Sequence, residues 1–217
     1  MLCVSEAERR RVVEDYPAIA DRSSVVGIGV DVDAVREAEP YERERPVVLM
    51  VGRLEAYKQV DLAVEAFGSV NVPSDLVIIG SGPERERISE RISGLGLDER
   101  VRMLGYLDDE ETRRWQRTAT VVLSMSRSEA FGLGLAEAVV AGARVVASDI
   151  PAHREVSAIS GGEFSFVSAG TDRDEVAAAL SGALRSGHGE DGHWTIPSWD
   201  IVAQRIAEHY FAAISAA

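Results

Sequence analysis

Short apolar runs rich in Val, Ile and Leu alternate along the chain with longer stretches whose apolar residues recur every three to four positions. The first pattern is that of a strand buried on both faces, the second that of an amphipathic helix. Strands are expected at Val47–Val51, Leu76–Gly80, Val101–Leu104, Thr120–Ser124, Arg144–Ser148 and Phe164–Val167. Helices are expected near Val60–Ser69, Glu84–Gly94, Asp109–Arg117, Leu133–Ala141, Ala152–Ala158 and Asp172–Arg185. Strictly alternating strands and helices, with strands this uniformly apolar, predict an α/β fold with a doubly wound, Rossmann-like parallel sheet covered on both faces.

The flanks do not fit this alternation. Residues 1 to about 31 read as a strand fragment, a basic helix capped by Ser5 and an apolar strand Ser24–Ile28, followed by a charged linker, Arg36–Arg45. After the last unit comes a glycine-rich loop, Ser186–His193, and a final helix around Trp199–Ile214. The expected division is therefore 1–44, 45–187 and 188–217. No internal repeat or low-complexity tract interrupts it.

At 217 residues with 46% hydrophobic and 27% charged content, the chain is long enough for one full domain with overhangs. No apolar run approaches the ~20 residues that cross a bilayer. The opening residues lack the basic start, apolar middle and cleavage site of a signal peptide, so a cytoplasmic location is expected. Cys3 is the single cysteine and has no internal disulfide partner. The formal net charge of −13 repels polyanions over roughly a Debye length, which excludes nucleic acid and anionic membranes as bulk partners. The expected partner is small and locally held. Of 23 basic residues Lys58 alone is lysine, a bias that suits either a salt-adapted protein or GC-rich coding DNA.

In doubly wound sheets ligands bind beyond the carboxyl ends of the strands. The stretch Ser128-Glu-Ala-Phe-Gly-Leu-Gly-Leu-Ala-Glu137 leaves such a strand end. Gly132 and Gly134 let a ligand approach backbone N–H groups at a helix start, a place that attracts phosphate. Carboxylates there, Glu129 and Glu137, suit hydroxyl donors instead, and vicinal sugar hydroxyls can serve one carboxylate together. Arg53 and Lys58 follow the first strand of the same sheet and supply a fork and a point charge for phosphate. The alternative for the carboxylates is a solvated helix with two incidental acids. Taken with the cations, the pattern predicts a ligand carrying both phosphate and sugar.

These residues resemble a known family. Val51-Gly-Arg-Leu with Lys58, Ile79-Gly-Ser-Gly-Pro83, Val101-Arg-Met-Leu-Gly105, Ser126-Arg-Ser-Glu-Ala-Phe-Gly132 through Glu137, and Ala141-Gly-Ala-Arg-Val-Val-Ala-Ser-Asp149 are similar to the carboxyl-terminal half of a retaining GT-B glycosyltransferase of the large family-four type. The similarity runs from about residue 45 to 185. It implies that Arg53 and Lys58 hold the donor diphosphate, that Glu129 meets the transferred sugar, and that Glu137 accepts from ribose hydroxyls. It further implies that the amides of Phe131, Gly132 and Leu133 meet sugar and phosphate, and that the backbone at Met103, Leu104 and Gly105 holds the base. The implied donor is a UDP-, GDP- or ADP-sugar, with catalysis by Arg53, Lys58 and Glu129 and no metal or other cofactor.

The sequence departs from the family pattern at Gln59, where Gly is usual, and at Met125, Ala130, Arg144 and Ile28. The flanks resemble the edge of the missing amino-terminal domain and the terminal helix that crosses to it. On that resemblance the acceptor-binding half is expected to lie outside this sequence, so the isolated chain is expected to bind donor with weak or no transfer, and its uncovered apolar flanks are expected to self-associate. A truncated chain, a natural half with a partner and a remnant all remain open. The rival functions are a sugar phosphorylase-like domain and a non-enzymatic nucleotide-sensing or partner-binding module.

Weaker signals have plainer readings. Asp31-Val-Asp33 imitates a metal-binding motif but lies on a linker. His188, Glu190, Asp191 and His193 read as a solvated loop, and Asp108–Glu111 as an acidic helix start. Gly27-x-Gly29 and Gly80-x-Gly82 lack the third glycine of a dinucleotide fingerprint. His153 lies on a ligand-side loop as a candidate sugar neighbour.

Overall fold

The computed structural model describes residues 1–168, 172–189 and 195–215. Its strands are β1 (Leu2–Cys3), β2 (Ser24–Val25), β3 (Val47–Val51), β4 (Asp75–Ile79), β5 (Val101–Gly105), β6 (Val121–Ser124), β7 (Arg144–Ser148) and β8 (Phe164–Val167). The helices are α1 (Glu6–Asp15), α2 (Val32–Glu37), α3 (Val60–Gly68), α4 (Arg85–Gly94), α5 (Asp109–Thr118), α6 (Leu133–Val140), α7 (Pro151–Ser160), α8 (Arg173–Ser186) and α9 (Trp199–Ser215). The expected strands and helices of the central unit are all present, within a residue or two of their expected bounds.

Strands β3 to β8 form one parallel sheet in the order β5-β4-β3-β6-β7-β8. This is the doubly wound order, in which the chain builds outward from β3 in one direction and then crosses back to build in the other. Alternate residues serve opposite cores. Val48, Met50, Leu76, Ile78, Val121, Leu123 and Val146 pack toward α3, α4 and α8. Val47, Leu49, Val77, Ile79, Val122, Val145 and Ala147 pack toward α2, α5, α6 and α7. Sliding a strand by one residue would exchange the two sets, so apolar burial worth roughly 1.5–3 kcal/mol per large side chain fixes the register.

Two expectations for the amino-terminal flank are corrected. The segment 24–28 does not continue as a strand: β2 stops at Val25, pairs only with β1, and is followed by Gly27 at φ +84°. On either side of that turn the backbone is claimed elsewhere, with Arg205 donating to the Val26 carbonyl at 3.1 Å and Val30 N donating to Pro197 O at 3.1 Å. The region 36–45 is likewise no free linker. Its first residues, Arg36 and Glu37, end α2, whose cap Asp31 accepts from Ala34 N. Tyr41 then packs on Trp115 with ring centroids 4.7 Å apart, and Arg43 and Arg45 both pair with Asp75. An aromatic and two arginines spaced to reach α5 and β4 thus bind a charged stretch to the domain.

Candidate functional site

The order reverses between β3 and β6, so the loops after these two strands diverge around a crevice at their carboxyl ends. The loop after β3 is held by the loop after β4: Gly52 N donates to Ile79 O at 3.0 Å, Leu54 N to Ser81 O at 2.9 Å and Glu84 N to Leu54 O at 3.1 Å. The approach is so close that a Cβ on Gly80 would lie 1.9 Å from Gly52 O. A 3-10 turn at Ala56–Lys58 and Gln59 in the left-handed region, φ 50°, then turn the chain into α3 and leave Lys58 over the crevice. The loop after β6 is tied across to this turn by Arg127 N donating to Tyr57 O at 2.9 Å.

Between the loops lies a cavity of about 320 Å³, floored by the strand ends at Met50, Ile78 and Leu123 and walled by Arg53, Lys58, Glu129, Gly132, Leu133, Gly134 and Glu137. Gly132, at φ +105°, is the amino-terminal cap of α6, and no side chain caps that helix. Leu135 N already donates to the Gly132 carbonyl at 2.9 Å, so the amides of Leu133 and Gly134, with the positive dipole end, are the ones available to an anion. A Cβ on Gly134 would meet nothing within 4 Å, so that glycine keeps the cavity open.

The charged groups are already coupled. Lys58 Nζ lies 2.5 Å from Oε1 of Glu129, and Ser126 Oγ donates to the same oxygen at 2.7 Å. Arg53 stands at the rim with its side chain 77% exposed, paired with Glu55. Glu137 is half-buried on α6, and Gln116 Nε2 of α5 donates to its Oε2 at 2.8 Å. Burial raises the Glu137 pKa, while the Gln116 hydrogen bond and the nearby Arg113 oppose that rise.

The remaining predicted residues fall outside the cavity walls. Phe131 is buried in the core on the α6 side of the sheet. Met103, Leu104 and Gly105 end β5, two strands along from β3, where the Gly105 carbonyl accepts from Gly80 N at 2.7 Å. His153 is fully buried: its Nδ1 lies 2.8 Å from the Ser148 carbonyl and therefore carries the proton, and Nε2 faces Ser124 Oγ at 3.4 Å. Burial holds its pKa below the usual histidine value. Asp108 caps α5, accepting from Glu111 N, and Cys3 is buried with its thiol pKa raised by burial. Of the loop acids and histidines, His188 is exposed, whereas Glu190, Asp191 and His193 lie outside the described residues. Gln116 is the residue that sequence reasoning missed; a single amide in a charged helix gives no signal of where it points.

The profile of the family described as glycosyl transferases group 1 matches residues 31–190. The chain is 29% identical to the D-inositol 3-phosphate glycosyltransferase of Frankia alni over 237 residues, covering 97% of this chain and 58% of that protein. It is 31% identical to the phosphatidyl-myo-inositol mannosyltransferase of Mycobacterium leprae over 224 residues, covering 96% and 58%. The chain thus spans little more than half the length of these relatives. Among solved structures, Anabaena Alr3699/HepE in complex with UDP and glucose superposes with a TM-score of 0.78 at 19% identity, covering 97% of this chain and 62% of that one. That likeness establishes the fold, a Rossmann-like half of the GT-B type.

Proposed function

This chain belongs to the glycosyl transferases group 1 family, and from that premise and the crevice geometry we propose that the cavity binds a nucleoside diphosphate sugar as the donor for glycosyl transfer. The observation that carries the reading is the convergence of Lys58, Arg53 and the uncapped start of α6 on one cavity that also holds Glu129 and Glu137. Lys58, Arg53 and the α6 amides neutralise the diphosphate, whose charge grows as the glycosidic bond breaks and the electron pair leaves with it. Glu129 accepts from hydroxyls of the transferred sugar. Glu137 accepts from the ribose; burial raises its pKa, and the Gln116 hydrogen bond and Arg113 oppose that rise. The family resemblance adds retention of anomeric configuration, and the relatives' greater length points to an acceptor-binding domain beyond this chain. Bound UDP and glucose in the Anabaena neighbour support a nucleotide sugar as the ligand.

Isothermal titration with UDP, GDP and ADP in the presence of EDTA tests the reading, since protein groups alone are assigned the diphosphate's charge. One of the three is expected to bind, and at a hundred times its Kd to add about 2.7 kcal/mol to folding stability. A folded chain that binds none of them, with or without added divalent cation, overturns it. An assay of phosphate-dependent release of sugar phosphate separates the phosphorylase alternative.

A further inference from the structure

Ser124 at the end of β6, Ser126 two residues on and Glu129 all line the donor cavity. Where the protons of the two serines point is set from beneath by His153 of α7, which is fully buried. Ser148 holds that imidazole with two atoms. Its hydroxyl gives its proton to the Ser126 carbonyl, so both Ser148 oxygens turn lone pairs to His153 Nδ1, the carbonyl at 2.8 Å and Oγ at 3.2 Å. Two acceptors on one ring nitrogen put the proton on Nδ1 and leave Nε2 an acceptor. Burial, which lowers the His153 pKa, keeps the ring in this neutral form at pH 7.

Both serine protons are then committed. Ser126 Oγ gives its own to Glu129 Oε1 at 2.7 Å, a charged acceptor at short range. Ser124 Oγ stands 3.4 Å from His153 Nε2 and 3.4 Å from Ser126 Oγ. The imidazole nitrogen is the stronger acceptor of the two, and a buried lone pair left unmet carries a desolvation cost, so the Ser124 proton turns to Nε2. Ser124 and Ser126 therefore offer the cavity lone pairs only, beside a carboxylate that also only accepts. A phosphate oxygen would meet acceptors at this place; a ligand hydroxyl meets groups to which it can donate.

We propose that Ser124, its proton held by His153, is a second hydroxyl-accepting group for the transferred sugar, so that one sugar hydroxyl donates to Ser124 while another donates to Glu129. The assignment rests on the donor reading above. Accepting from the sugar strengthens the bond from Ser124 to Nε2, because hydrogen bonds in a chain polarise one another. His153 acts only through Ser124 and is a positioning residue. The subsite selects for a donating hydroxyl: fluorine in its place would set lone pairs against lone pairs and leave the buried acceptor unmet.

The test pairs calorimetric titration with 15N spectra of the histidine-labelled chain. The probes are UDP-glucose, ADP-glucose and GDP-mannose, their bare diphosphates, and the deoxyfluoro analogues of whichever nucleotide sugar binds tightest. His153 is expected to show a protonated Nδ1 and a bare Nε2, and the nucleotide sugar to shift the Nε2 signal where the bare diphosphate does not. Ser124→Ala should weaken the nucleotide sugar roughly fivefold, the loss of one neutral hydrogen bond, and the bare diphosphate by less than about twofold. One deoxyfluoro analogue should lose a similar factor in the parent and nothing further in Ser124→Ala, as the two halves of one contact do. Where Ser124→Ala does not fold, the parent decides, since that one analogue should bind without shifting Nε2. A proton on Nε2, an Nε2 signal unmoved by the sugar, or additive losses for every analogue overturns the proposal and leaves the donor reading standing on nucleotide binding. A folded chain that binds neither diphosphate nor nucleotide sugar overturns both.

Discussion

Lys58 Nζ and Glu129 Oε1, 71 residues apart in sequence, lie 2.5 Å apart across the crevice between the loops after β3 and β6. The only lysine of the chain is therefore neutralised by a carboxylate until a ligand arrives. A diphosphate must share or replace that partner. Lys58→Ala is expected to weaken UDP, GDP or ADP by roughly tenfold to a hundredfold, the range of a charge-assisted contact. Glu129→Gln is expected to bind the bare nucleoside diphosphate as tightly or more tightly, since it frees Lys58 and removes a like charge, and to lose its preference for the nucleotide sugar. Titrations of both variants decide it; Glu129→Gln losing bare diphosphate as strongly as Lys58→Ala would refute the assignment.

Glu137 links stability to binding in opposite directions. Its pKa is raised in the folded state by burial, so the native chain holds its proton to higher pH than the unfolded chain does. The associated stability is full below the ordinary carboxylate pKa, near 4.3 in model peptides, and is lost as pH rises through the folded value. Glu137→Gln is expected to melt higher than the parent at pH 7, with the difference shrinking toward pH 4, while nucleoside affinity drops about tenfold. Thermal melts across that range and calorimetry check both halves. Gln116→Met removes the hydrogen bond to Oε2 and is expected to move the pH at which nucleotide binding strengthens to a higher value.

Gln59 is the non-glycine residue with positive φ among the described residues, and its side chain is buried. A substitution by glycine alone mixes lost packing with relieved backbone strain. Gln59→Ala loses the packing and keeps the strain, so Gln59→Gly is expected to exceed Gln59→Ala in stability by roughly 1 kcal/mol, measured by urea denaturation. Equal midpoints would show that the left-handed conformation carries no strain here.

Gly80→Ala places a Cβ where Gly52 O already stands. Neither neighbour is a flexible side-chain end, so the loops after β3 and β4 must part. The expected cost is 3 kcal/mol or more, of the order of severe backbone incompatibility, with loss of nucleotide affinity through displaced Arg53 and Lys58. Melting and titration of the one variant report both effects.

Helix α9 presents Trp199, Ile206, Tyr210 and Ile214 at helical spacing, all exposed, and Val202 is its buried residue. The chain by itself is expected to pair with a second copy through this stripe, and Tyr210→Glu with Ile214→Lys to return a monomer in light scattering. A monomeric parent at high concentration would count against it.

The central unit was legible in the sequence because both of its periods are local. The uniformly apolar run Val47 to Val51, whose residues turn alternately to two cores, and the spacing from Val60 to Phe67 follow from backbone geometry alone, and a sheet apolar on both faces has few ways to be covered. That Arg53, Lys58, Glu129 and Glu137 gather around one crevice was legible because topology places the segments after those strands together. What the sequence left open was set by contacts between distant residues. Gly27 ending β2, Tyr41 seated on Trp115, Gln116 reaching Glu137 and Arg11 reaching Ser128 depend on where helices come to rest, not on neighbours along the chain. Composition and periodicity determined the layers and the edge at which a ligand can bind. The tertiary structure decided which charges are already paired there, because that depends on side-chain distances of a few ångströms that no periodicity encodes.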